Sequence, residues 1–147
     1  VRLSRGLGDV YKRQDLKNGK RLFSEIAMMA GAQDRGAGMS VSWGDYNRDG
    51  LSDIYIGNMY SNAGNRITRM SGYLDKENAS LKKIYRRFAK GNTLLVQNKD
   101  KKFNDYGPSV SMGRWAWSSV FADIDNDGWE DLIVANGYIT GQRKDDL

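Results

Sequence analysis

The stretch Asp123-Ile124-Asp125-Asn126-Asp127-Gly128-Trp129-Glu130-Asp131 decides how this chain is read. Aspartates fall at positions 1, 3, 5 and 9 of the nine-residue run, with a glycine at position 6. An ordinary turn has no use for so much like charge, and repulsion opens such a loop unless a cation sits inside it. Hard oxygen donors in this number suit Ca²⁺, which takes roughly six to eight of them. Gly128 can adopt the positive φ that bends the backbone around an ion. The carbonyl of Trp129, at position 7, is the natural extra donor.

The run occurs twice. Asp45-Tyr46-Asn47-Arg48-Asp49-Gly50-Leu51-Ser52-Asp53 lies 78 residues earlier. At that offset Ser40/Ser118, Asp45/Asp123, Asp49/Asp127, Gly50/Gly128, Asp53/Asp131 and Asn58/Asn136 are identical. Trp43/Phe121, Ile54/Leu132 and Ile56/Val134 keep their character. One acidic run can be a solvated turn; two with matched apolar flanks mark an internal repeat. An EF-hand needs a glutamate at position 12 and helices on both sides. Position 12 is Ile56 in one copy and Val134 in the other, and the flanks read as strands, which excludes the EF-hand.

The chain has 147 residues, enough for a real core, with 17 glycines, one proline, four tryptophans and eight tyrosines. That mixture suits short strands joined by tight turns. No apolar run of membrane-spanning length occurs. With no cysteine there is neither a disulfide framework nor a thiolate metal site. With no histidine, the Ser-His-Asp and Cys-His nucleophile systems and the usual zinc ligand sets are excluded. The net charge of +5 is uneven, since residues 59–92 hold eight Lys/Arg against two Asp/Glu while the repeated framework is acidic. A nucleic-acid binder carries its positive charge on the framework, so no nucleic-acid partner is expected.

Along the chain, residues 1–14 match nothing later and resemble the translated adaptor found at the ends of environmental sequencing fragments. They are read as non-native and set aside. Residues 15–58 then hold the end of one structural unit and the first hairpin of the next. Lys20-Arg21-Leu22-Phe23-Ser24-Glu25 reads as a strand, as does its echo around Phe103. Met39, Val41 and Trp43 alternate with Ser40, Ser42 and Gly44, which is strand patterning. Asp53 to Gly57 forms the return strand after the acidic loop. Residues 59–92 break the repeat: Asn62, Gly64 and Asn65 read as a loop. From Asp75 to Lys90 the spacing of Leu81, Ile84, Tyr85 and Phe88 is helical, with Gly91 as the stop. The opposite face gathers Lys82, Lys83, Arg86 and Arg87 and reads as solvated. Asn78-Ala79-Ser80 fits a short glycosylation motif. Residues 93–147 contain strands at 93–97, around Phe103 and at 132–135, and the second acidic loop. Trp115, Trp117 and Phe121 are expected to fill the space between neighbouring sheets. Residues 137–141 read as a loop, and residues 142–147 stop in mid-pattern, as in a truncated chain.

Ser42-Trp43-Gly44-Asp45 through Asp53-Ile54-Tyr55-Ile56-Gly57-Asn58 resembles the FG-GAP or VCBS-type repeat. Asn92 to Asn98, followed by Phe103-Asn104-Asp105, is similar to the second half of the same blade. Trp115-Ala116-Trp117 through Gly141 is similar to the bacterial branch related to cartilage acidic protein, often linked to an ASPIC/UnbV domain. The resemblance implies an all-β fold, a β-propeller fragment with about one full four-stranded blade from Met39 to Asp105. Parts of two neighbours flank that blade, and residues 59–92 form a helical insertion within it. It also implies Ca²⁺ in the loop between a blade's first two strands. Asp45, Asn47, Asp49, the Leu51 carbonyl and Asp53 would ligate one ion. Asp123, Asp125, Asp127, the Trp129 carbonyl and Asp131 would ligate another. The first loop has Asn47 where the second has Asp125, which weakens its hold.

The function this implies is a calcium-stabilised scaffold for extracellular protein or glycan binding and adhesion, secreted, periplasmic or at the cell surface. The alternative is a fragment of a calcium-dependent polysaccharide lyase or hydrolase. Asp105 and Glu130 are the carboxylates it would nominate, though no spacing brings them together. A third reading, nucleic-acid binding through the basic 82–90 helix, predicts a steep salt dependence.

Overall fold

The structure, a computed structural model, describes residues 12–17, 20–74 and 79–136. The adaptor-like residues 1–11, Asn78 of the glycosylation motif, the start of the expected helix at 75–78 and residues 137–147 lie outside the described residues.

At the centre is a four-stranded antiparallel sheet in chain order: β3 (Gly38–Gly44), β4 (Asp53–Asn58), β5 (Thr93–Gln97) and β6 (Phe103–Asp105). A hairpin of β1 (Lys12–Lys17) and β2 (Lys20–Glu25) precedes it, pairing Lys12 with Glu25. A second hairpin, β7 (Ala116–Ala122) and β8 (Asp131–Asn136), follows. This is a β-propeller fragment: a complete meander blade and the opening hairpin of another. The helices α2 (Asn62–Arg69) and α3 (Ala79–Lys90) fall between β4 and β5 and interrupt the blade without breaking its ladder.

Strand β4 explains the layering. All six of its residues are buried, because both its faces are covered. Ile54 and Ile56 meet Leu95 and Phe103 on one face. Ala27 and Ala30 of the short helix α1 (Ala27–Ala30), together with Ala32, close over them. Val41 joins this core from β3, and Trp43 sets its ring edge-on to Phe103.

The other face, carrying Tyr55 and Gly57, packs on β7. Here the seam is polar. Ser40 Oγ donates to the Ala116 carbonyl, and the Ser119 hydroxyl lies within hydrogen-bond distance of both Ser40 and Ser42. Gly57 permits the approach, since a Cβ there would stand 2.2 Å from Ser40 Oγ and 2.8 Å from the Ala116 carbonyl oxygen. Gly57→Ala is therefore expected to push the two sheets apart. It should cost about 1–3 kcal/mol by overpacking, read as a lowered urea midpoint at unchanged slope.

Three expectations change here. Residues 62–69 are helical, not a loop. Ser61 caps the helix by accepting from the Gly64 amide at 3.0 Å, and Asn65 donates to the Ser61 and Ala89 carbonyls. Of the aromatics assigned to the space between sheets, Phe121 lies against Gly44, but Trp115 and Trp117 pair with one another and stay substantially exposed. Finally, α3 does not present one solvated basic face. Arg86 Nε donates to the Thr68 carbonyl, and Arg87 turns into the blade to meet Asp34, while Leu81, Tyr85 and Phe88 remain partly exposed.

Candidate metal centre

Both acidic runs sit where one strand turns into the next, 45–53 between β3 and β4 and 123–131 between β7 and β8. The two loops share one internal wiring. Asp45 accepts from the amides of Asp49 and Gly50 at 3.0 and 2.9 Å, and Asp123 accepts from those of Asp127 and Gly128 at 3.1 and 2.9 Å. Position 3 also accepts from the position 5 amide, through Asn47 in one loop and Asp125 in the other. The position 5 carboxylate accepts from the position 7 amide, at 2.8 Å for Leu51 and 2.7 Å for Trp129. The aspartate that opens the return strand accepts from the position 2 amide, Tyr46 to Asp53 and Ile124 to Asp131. Position 4 is left-handed in both, Arg48 at φ 57° and Asn126 at 59°, followed by Gly50 at 81° and Gly128 at 84°. Two left-handed residues in one short loop wrap the amides around the aspartates.

In the second loop, Asp123, Asp125 and Asp131 each offer a carboxylate oxygen, and the three lie within 4.8 Å of one another. Ligands at about 2.3–2.6 Å from a common Ca²⁺ can stand up to about 5 Å apart, so the spacing fits. Asp127 lies outside that group and accepts from the Trp129 amide. Among the described residues no such triple forms in the first loop, whose third position is the neutral Asn47.

Burial separates the loops as well. Asp131 is partly exposed, whereas Asp53 is fully buried, held by the Gln97 amide at 2.8 Å and the Tyr46 amide at 3.3 Å. Burial pushes the Asp53 carboxyl upward in pKa; those two amide donors oppose the shift, and Asp49 and Asp45 add to it. A carboxylate both desolvated and crowded by like charges gains most from a nearby cation. Burial also raises Tyr46, with the Tyr106 hydroxyl contributing, and pushes Tyr55 up to about 12.

Spacing alone did not reveal that the two loops touch. Glu130, at position 8 of the second, accepts from the Asp45 amide of the first at 2.7 Å. Arg48, at position 4 of the first, lies over the Trp129 ring at 5.1 Å. Neither position belongs to the ligand pattern, and the contact spans about half the chain, so no local signal carries it.

Glu130 is thus engaged at the β3 side, while Asp105 pairs with Lys90 on β6. Each of the two nominated carboxylates has its own partner, and no contact between them is seen among the described residues.

Comparison with known families places these loops in context. Residues 37–68 match the FG-GAP repeat, and residues 84–134 match the FG-GAP-like repeat. The first match holds β3, its acidic loop and β4; the second runs from α3 through the second acidic loop into β8. No curated protein and no solved structure gives a significant match to the chain.

Proposed function

We propose that this chain, built of FG-GAP repeats, is a calcium-stabilised segment of a β-propeller that serves as a binding scaffold outside the cytoplasm. The observation that carries the reading is the convergence of Asp123, Asp125 and Asp131 in a loop whose hydrogen bonds recur, residue for residue, at 45–53. Asp123, Asp125, Asp127, the Trp129 carbonyl and Asp131 would hold one ion. Asp45, Asn47, Asp49, the Leu51 carbonyl and Asp53 would hold the other, more weakly. The chain's own residues fix the loop backbone through the amides just described, so the ion meets oxygens already turned inward. When bound, it replaces repulsion among carboxylates with attraction, and its binding free energy becomes folding free energy.

The protein supplies most of the donors, which makes the ion structural and leaves recognition to the blade's surface loops. Millimolar free calcium outside the cytoplasm suits sites of this kind. No helix among the described residues is long and apolar enough to cross a membrane. The partner class we assign is an extracellular protein or glycan. Within the repeat families, the Trp115-Ala116-Trp117 segment and the loop after it favour the bacterial branch related to cartilage acidic protein, with VCBS-type repeats and ASPIC/UnbV-associated propellers.

Calorimetric titration of the chelator-treated chain tests the reading directly. Two calcium-binding events are expected, the tighter assigned to the second loop, with a rise in melting temperature on the same samples. Absence of both heat and thermal shift overturns it.

A further inference from the structure

The insertion that interrupts the blade also builds a cleft. It lies beyond the end of β4 where Asn58 pairs with Gly38, opposite the end where Asp53 meets the acidic loop. Six residues of extended strand, about 20 Å, separate the two ends. Tyr60 follows β4 and bridges to Lys90, the last residue of α3. The cleft holds about 270 Å³, and Arg66, Arg69 and Lys90 bring three cations to its wall beside Tyr60, Pro108 and Ser111.

Its charge is unbalanced. Arg66 and Arg69 are one turn apart on α2 and so share a face. Neither side chain makes a hydrogen bond or an ion pair among the described residues. Lys90 pairs with Asp105, but an ammonium has three N–H donors and that contact uses one. Among the described residues no acidic side chain lines the space. An ordinary explanation exists, since all three cations lie in the last turns of their helices, where they complement the negative helix ends. Two helix ends amount to roughly one negative charge, and Asp105 supplies another. Three cations exceed that by about one. The dipoles therefore account for part of the charge and leave room for a single anion, not for a dianion such as a phosphate monoester.

The remaining donors fit a group of that charge. Two guanidinium forks present paired N–H groups suited to oxyanion oxygens, and the Tyr60 hydroxyl has no hydrogen-bond partner among the described residues. The volume exceeds what a bare oxyanion fills, and the Tyr60 ring with Pro108 offers an apolar wall for the carbon frame that bears the charge.

We infer that this cleft binds the singly charged oxyanion of an acidic sugar, a sulfate ester or a uronic carboxylate, between Arg66, Arg69 and Lys90. The inference names a ligand class for the scaffold proposed above and rests on that reading, but it does not need the calcium sites.

Calorimetry with glucose 6-sulfate, glucuronate and glucose, at constant ionic strength and in calcium, tests it. Binding of at least one acidic sugar and none of glucose is expected; which acid binds identifies the source of the charge. The double variant Arg66→Gln/Arg69→Gln should weaken that binding by about tenfold or more, since charge-assisted hydrogen bonds are lost. Its calcium response should be unchanged, which separates failure of this site from failure of the scaffold reading. Arginine Nε–H NMR signals of the unaltered chain keep the test decisive if the variant misfolds, because Arg66 and Arg69 should shift with the acidic sugar. No binding by either acid, equal binding of glucose, undiminished binding by the variant, or unshifted arginine signals overturns the inference.

Discussion

Asp123→Asn is expected to remove most of the stabilisation that calcium gives the second loop, while changing little in chelator. A site filled at about a hundredfold excess over its Kd adds about 2.7 kcal/mol. Losing one charged ligand weakens it tenfold or more, about 1.4 kcal/mol or greater. For a chain of this length the melting temperature in calcium should fall by about 3–10 °C. In chelator the balance differs. The asparagine oxygen still accepts from the Asp127 amide, while the Gly128 amide loses the acceptor it had at 2.9 Å. That loss costs about 1 kcal/mol in an exposed loop, and reduced repulsion from Asp125 and Asp131 offsets part of it. The matched change Asp45→Asn should show a smaller calcium-dependent loss. Its loop has one carboxylate fewer among the ligand positions, with the neutral Asn47 where the second loop has Asp125. Asp127→Ala should also cost more in calcium than in chelator, and Asp49→Ala less so. Equal costs in both conditions for Asp123→Asn would take the metal out of the account.

What the sequence made legible was whatever depends on near neighbours. Oxygen-bearing side chains at positions 1, 3, 5 and 9 with Gly50 or Gly128 at the sixth marked a loop bent on a left-handed glycine, and the structure bends both loops there. Alternation in β3 set Met39, Val41 and Trp43 on one side of the strand, and Val41 and Trp43 do meet the core there, because side chains on a strand point to alternate sides. The misreadings share a different origin. Asn62, Gly64 and Asn65 have poor helix propensity, yet they lie in α2 because Ser61 caps its start and Asn65 reaches the end of α3. Tertiary contact overrode local preference. Leu81, Tyr85 and Phe88 made an apolar stripe that would ordinarily face inward. The helix instead turned Arg87 toward the blade because Asp34, 53 residues away, sits buried there. No periodicity marks Asp34, and a carboxylate between Gln33 and Arg35 looks like surface. Likewise Ser40 and Ser42, the polar positions of the β3 alternation, form the seam between sheets with Ser119, which only the packing of a second hairpin discloses.

Asp34→Ala should be among the most damaging single substitutions in the described chain. The Asp34 side chain is 1% exposed and accepts from Arg87, from Asn58 Nδ2 at 2.8 Å and from the Gly36 amide at 2.9 Å. It ties the insertion helix to both the end of β4 and the segment entering β3. Removing one member of a buried pair leaves the other desolvated without compensation, a loss of about 3–5 kcal/mol for full burial. Arg87 is 21% exposed and keeps Thr93 Oγ1 and the Gly91 carbonyl, so the lower end, about 3 kcal/mol, is expected. Against a total of roughly 5–15 kcal/mol for a domain, that decides whether α3 stays docked. Arg87→Met should cost less, because Asp34 retains two donors, the Asn58 side-chain amide and the Gly36 N–H. The double variant Asp34→Asn/Arg87→Met should be more stable than the sum of Asp34→Asn and Arg87→Met, since the second change removes the charge that the first one orphans. Urea unfolding of the four chains, with protease cleavage between α2 and α3 as a local readout, measures this coupling. Additive costs would mean that Arg87 holds the helix through Thr93 and Gly91, with Asp34 only a bystander.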